Sequence, residues 1–117
     1  MFDDYTNLWV ETVEELGRHG KKPSDICFVC GDDFGVINFK EVAIRTNYDD
    51  GFGGQEIAED LKVVGEDWWL ERHEYDGSEW WEFKAMPQRP KEFYVVESVT
   101  ADVGWDTLKE IKEREND

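Results

Sequence analysis

The clearest helical spacing lies near the start of the chain. Tyr5, Leu8, Trp9, Thr12, Val13 and Leu16 fall on one stripe of a 3.6-residue helix. Asp3 and Asp4 offer a cap, and Gly17, Arg18, His19 and Gly20 supply stop signals with charges suited to the negative end of the helix dipole. This predicts a helix over residues 4–17. Beyond it the pattern changes to short apolar runs broken by glycine, proline and aspartate. Ile26 to Cys30 reads as a strand ending in a Gly31-Asp32-Asp33 turn, and Val36-Ile37 as a possible return strand. Asn38 with Glu41 resembles a capping box opening a short helix with Phe39, Val42 and Ala43 inward. Residues 47–55 carry three glycines within four positions, followed by a helical turn expected at Gln55–Asp60 and a strand at Leu61–Val64.

The strongest strand signal is Trp68 to Glu74 and Glu79 to Met86, flanking Tyr75-Asp76-Gly77-Ser78. Asp-Gly between aromatic runs predicts a two-residue type I′ hairpin, because both central residues need positive φ. Pro87 and Pro90 end the second strand, Phe93 to Val99 reads as a further strand, and a last helix carrying Trp105, Leu108 and Ile111 starts at Asp102 or Asp106. Together these predict a single α+β domain over residues 1–117. It has a mainly antiparallel sheet of three to five strands, a central tryptophan-rich hairpin, and the N- and C-terminal helices packed on it.

The turn fixes the register. Leu70 faces Phe83, Trp68 faces Ala85 and Arg72 faces Trp81, all on the side expected to meet the core. Arg72 beside Trp81 is placed for a cation–π contact. The other side carries Trp69, Glu71, His73, Trp80, Glu82 and Lys84. Glu71 then lies across from Glu82, and Glu74 across from Glu79. Like charges directly opposite destabilise a pair, so water, Lys84 and Arg72, or a bound cation must offset them.

Charge sharpens this picture. The chain has 13 basic and 29 acidic residues, a formal net charge of −16. Between Asp49 and Glu82 there are 12 acidic residues against Lys62 and Arg72 alone, a local charge of −10. Such a balance disfavours direct contact with nucleic acid or an anionic membrane and favours a basic protein partner. With 15% aromatic residues the chain has material for a core despite its charge. No apolar run is long enough to span a bilayer, and the start lacks a basic-then-apolar leader, so a cytoplasmic location is expected.

Catalytic and cofactor motifs are weak. Cys27 and Cys30 have the C-x-x-C spacing, but a zinc site needs four ligands and the other soft donors, His19 and His73, are far apart in sequence. Positions three apart on a strand point to opposite faces, so buried free thiols are the better reading. Residues 47–55 fail the calcium-loop pattern, and Gly51-Phe52-Gly53 followed by Glu56 fails the dinucleotide pattern. No metal and no cofactor is expected.

The segment Asp67 to Lys84, DWWLERHEYDGSEWWEFK, with Met86-Pro87 after it and Tyr48 to Leu61 before it, is similar to a signature in small acidic proteins of bacteria and their phages. The likeness covers residues 36–90. It implies a mobile-element origin and carries no activity or site residues with it. The residues themselves point first to a non-enzymatic protein-binding module, an acidic inhibitor that mimics nucleic acid and meets a basic protein through Trp69, Glu71, His73, Trp80 and Glu82. Two rivals stay open. One is a domain binding a sugar or base on Trp69 and Trp80. The other is an enzyme using His73 as general base.

Overall fold

The computed structural model describes residues 5–51, 54–102 and 104–115. Asp3 and Asp4, expected to cap the first helix, lie outside these, as do Phe52 and Gly53 of the glycine-rich segment. The chain divides into two compact units, Met1–Pro87 and Gln88–Asp117.

In the first unit, β1 (Thr6–Asn7) leads into α1 (Leu8–Arg18), later than the periodicity predicts. The delay has a cause. Thr6 and Asn7 are drawn out to pair with a distant strand, and Asn7 becomes the cap, its Oδ1 accepting the Val10 N–H at 3.1 Å. Asn7 Nδ2 donates to Ile44 O and Asn47 Oδ1, so one side chain ties the helix start to two later segments. Leu8, Thr12 and Leu16 form the buried stripe.

A 3₁₀ turn (Pro23–Asp25) precedes β2 (Phe28–Cys30), β3 (Gly35–Val36), α2 (Phe39–Ile44) and β4 (Asn47–Tyr48). Asn38 is the residue before α2, but its side chain makes no capping hydrogen bond. The chain then runs through β5 (Lys62–Val64), β6 (Trp68–Tyr75) and β7 (Ser78–Ala85). Residues 55–60 form no helical turn of the kind expected. The N–H groups of Glu56 and Ile57 instead donate to the Glu79 carboxylate, which substitutes for intrahelical partners.

The main sheet is antiparallel throughout, ordered β3-β2-β5-β6-β7, and β1 and β4 form a separate two-stranded ribbon. The fold is therefore mixed α+β, with helices toward both chain ends. The hairpin register is the one the Asp76-Gly77 turn dictates: Trp68 opposite Ala85, Leu70 opposite Phe83, Arg72 opposite Trp81. Both turn residues have positive φ, 52° at Asp76 and 86° at Gly77 (86° from the same turn), as a type I′ turn requires.

Register also sorts the two sheet faces. Val36, Val29, Val63, Leu70 and Phe83 run as one row across the sheet on the side of α1 and α2. With Leu8, Leu16, Phe39, Ala43, Tyr48, Trp68 and Trp81 they make the core. Gly65 is required here. A Cβ at this position would lie 2.0 Å from the indole of Trp68, and the Gly65 N–H donates to Trp68 O at 2.8 Å. The alternate rows on the other face are Phe28, Val64, Trp69, Lys84 and Cys30, Lys62, Glu71, Glu82.

In the second unit, α3 (Leu108–Glu115) is capped by Thr107, whose Oγ1 accepts the Glu110 N–H while Glu110 Oε1 accepts from Thr107 in return. The expected start at Asp102 or Asp106 is thus moved to the capping box. Phe93 to Val99 is not a strand. It lacks a ladder partner among the described residues, and three of its backbone groups bond side chains of α3 instead. Glu115 Oε1 accepts the N–H groups of Glu97 and Ser98, and Lys112 Nζ donates to Val95 O. Trp105 is almost fully exposed and does not line an inner helix face.

Candidate functional site

Two polar assemblies alternate along the hairpin, one on each face. On the core face, Arg72 extends from the middle of β6 into the interior with its side chain fully buried. Its guanidinium donates to Glu79 Oε1 at 2.8 Å, to Tyr48 Oη at 2.9 Å, and to both oxygens of Glu11 at 3.3 Å. Its plane is flanked by the rings of Trp81, 4.7 Å away, and Tyr48, 5.5 Å away, so the expected contact with Trp81 is present and doubled. The Tyr48 hydroxyl donates to Glu11 Oε1 at 2.5 Å, and Trp81 Nε1 donates to Thr12 Oγ1 at 2.9 Å. Arg72 Nε is the buried side-chain polar atom left without a partner among the described residues.

The electrostatics follow from burial. Desolvation raises the Glu11 carboxyl, and its bonds to Tyr48 and Arg72 oppose that only in part. Burial, then donation to Glu11, raises the Tyr48 phenol. Burial works against the Arg72 charge, but Glu11, Tyr48 and Glu79 outweigh it and hold the guanidinium firmly ionised. Glu79, expected to face Glu74 as a like-charge clash, is buried and paired to Arg72. Glu74 turns outward, and its carboxylate accepts the Gly77 N–H.

On the opposite face the structure brings together four of the five expected contact residues. Trp69 Nε1 donates to Glu71 Oε1 at 2.7 Å. His73 lies between two carboxylates, with Nε2 3.0 Å from Glu71 Oε2 and Nδ1 3.1 Å from Glu82 Oε2. Lys84 Nζ stands 3.4 Å from Glu82 Oε1. The imidazole between the two carboxylates, together with Lys84 beside Glu82, spaces the Glu71–Glu82 opposition with polar groups of this chain. The indole N–H of Trp69 is the main cause that lowers the Glu71 carboxyl. Slight burial opposes it and His73 adds to it. These side chains are partly exposed, and Phe28 extends the surface at the sheet's far side.

Trp80, the fifth residue, sits opposite His73 in the register but lines a different hollow. Because β7 is an edge strand, its side chain borders a groove shared with α1, β1 and Asp50. Asp50 also closes part of that edge, its carbonyl accepting the Glu79 N–H at 2.9 Å.

Sequence reasoning missed the partners of Arg72. Glu79 was findable, because period-two alternation puts it on the face of Arg72 and Trp81. Glu11 and Tyr48 arrive from 61 and 24 positions away and leave no local signal. Cys27 and Cys30 are free, with Cys27 exposed, against the expectation that both are buried. Among the described residues no cluster of three or more His, Cys, Asp or Glu is disposed to hold a metal ion, and no helix is long and apolar enough to cross a membrane. No protein-family model, curated protein or solved structure matches the chain.

Proposed function

We propose that the protein is a non-enzymatic acidic binding module that docks a basic protein in the cytoplasm, in the manner of an inhibitor of phage or mobile-element origin that imitates nucleic acid. The observation that carries this reading is the fixed pair of carboxylates on the outer hairpin face. Glu71 and Glu82 are held in register by Trp69, His73 and Lys84 on a hairpin of two eight-residue strands. Pre-set charges lose little freedom on binding, and a −16 chain accelerates encounter with a positive surface. A general-base role for His73 is disfavoured by the same geometry, because each ring nitrogen already lies within hydrogen-bond distance of a carboxylate of this chain, where a substrate proton would have to sit.

The test is capture of basic proteins from host lysate on the immobilised protein at low and high salt, beside a Glu71→Gln, Glu82→Gln double variant. A specific partner lost at high salt and weakened by the double variant is the expected result. Binding indifferent to salt and to both substitutions would dismiss the reading. Quenching of tryptophan emission by small glycans that survives high salt would favour the ligand-binding alternative on Trp69 and Trp80.

A further inference from the structure

The main sheet ends on one side in β7, and the backbone along that edge is only partly used. A two-residue turn makes Tyr75 and Ser78 a hydrogen-bonded pair, so Ser78, Trp80, Glu82 and Lys84 bond to β6. Glu79, Trp81, Phe83 and Ala85 therefore turn their N–H and C=O groups away from the sheet. Two bonds fix this parity. The Met86 N–H donates inward to Asp67 O at 2.7 Å, and the Glu79 N–H donates outward to Asp50 O at 2.9 Å. Past Glu79, the outward N–H groups of Trp81, Phe83 and Ala85 have no acceptor among the described residues. Such a row is a template for another strand. Its two ends are marked, by Asp50 at Glu79 and by Pro87, which has no N–H to give.

We infer that a second copy of this chain adds to β7, antiparallel, about a two-fold axis at Phe83. Phe83 then meets its own counterpart, and Trp81 meets Ala85 of the second copy, with two backbone bonds exchanged at each pair. Three features select this register. Glu82 falls opposite Lys84 of the second copy, and Lys84 opposite Glu82 of the second copy. Both are non-hydrogen-bonded pairs, where side chains approach most closely. The bulky Trp81 lies across from the small Ala85. Glu79, whose N–H is already taken, lies across from Pro87, so the new ladder stops where neither strand has a donor to spare. Moving the axis to Trp81 would set Glu82 against Trp80 and Lys84 against Ser78, losing both charge pairs. The two five-stranded sheets become one, with their outer faces on the same side. This inference goes beyond the acidic-module reading and does not depend on it, because it uses the edge of β7 and not what its outer face binds.

The experiment is sedimentation velocity of the full chain over a concentration series at about 0.15 M salt, where the repulsion between two −16 chains is screened beyond about 8 Å. A dimer that dissociates on dilution is expected. Amide hydrogen exchange should show Trp81, Phe83 and Ala85 protected in the dimer and released on dilution, while Trp80, Glu82 and Lys84 stay protected in both states. Ala85→Pro removes an outward N–H at an exposed edge position and should raise the dissociation constant roughly tenfold. Lys84→Glu and Glu82→Lys should each weaken self-association by a similar factor. An equimolar mixture of these two variants should associate to within about threefold of the parent, since each supplies the charge the other lacks. Circular dichroism checks the fold of each variant, and Ala85→Pro with the exchange pattern decides the matter if Glu82→Lys does not fold. The inference is overturned by a chain that stays monomeric up to about 1 mM. It is equally overturned by a dimer that Ala85→Pro and Lys84→Glu leave unchanged, or by folded charge variants that fail to rescue each other. A monomeric chain that still captures a basic protein would remove the dimer and leave the acidic-module reading in place.

Discussion

The two faces of the hairpin place the same kinds of groups one residue apart and obtain opposite results. On the inner face Arg72, Glu79 and Trp81 are buried, while on the outer face Glu71, His73 and Glu82 remain partly open to water. Both hold carboxylates against a nitrogen-bearing side chain at about hydrogen-bond distance. Inside, every lost partner strands a charge away from water. Outside, water replaces whatever is removed. Chemistry of one type therefore serves architecture on one side and leaves the other side free to change, and burial alone separates the two.

The largest effect is expected from breaking the inner pair. Arg72→Ala leaves Glu79 buried without its cation and should lower the unfolding free energy by about 3–5 kcal/mol, read by urea denaturation. Glu79→Gln should lose somewhat less, because the amide oxygen can still accept from Arg72 and Ile57, although the Glu56 N–H, which bonds the other carboxylate oxygen, loses its acceptor. Replacing Arg72 and Glu79 together by Met and Leu should recover much of the loss. If the single and double variants are equally damaged, packing and not charge dominates the inner face. Trp81→Phe keeps a ring over Arg72 but removes the donor to Thr12 Oγ1, whose hydroxyl still donates to Leu8 O, and should cost about 1 kcal/mol.

The outer face should respond far less. His73→Ala or Glu71→Gln should change stability by less than about 1 kcal/mol, since these groups are substantially solvated. A loss as large as that of Arg72→Ala would erase the contrast between the faces.

The finest discrimination comes from pH. Glu71 is lowered in the folded state, so the stability it adds is present above the ordinary carboxyl value of 4.5 and is lost as pH falls through its depressed value. Glu11 is raised, so its folded form retains a proton for longer, and stability falls as pH rises from 4.5 through the raised value. Subtracting the stability of each Gln variant from that of the parent should give a contribution that rises with pH below 4.5 for Glu71 and one that falls with pH above 4.5 for Glu11. Equal signs would mean that the two carboxylates share one environment.

Local rules recovered much of this fold. The hairpin register was legible because a two-residue turn leaves one alignment and strand side chains alternate strictly. The face carrying Glu71, His73 and Glu82 follows from the same parity. What escaped was set by distance or by competition. Asn7 caps α1 because β4, 40 residues on, draws the preceding chain straight. Phe93 to Val99 has strand composition, but Glu115 and Lys112 satisfy its backbone in place of a neighbouring strand. Glu79 was on the right face by parity yet reads as surface by residue type, and only the approach of Tyr48, Glu11 and the 55–60 segment makes its burial tolerable. Trp80 illustrates a further limit, since alternation gives the side of the sheet but not which element borders an edge strand.

The close approach of Trp68 to Gly65 gives the β5–β6 connection a built-in reporter. An aromatic π system lying against a glycine shields the protons beneath it, so the Gly65 α-hydrogens should resonate well upfield of ordinary glycine positions. That anisotropy decays steeply with separation. A drift of those two signals toward random-coil frequencies would register loosening of this corner of the sheet before any global transition, with no label attached.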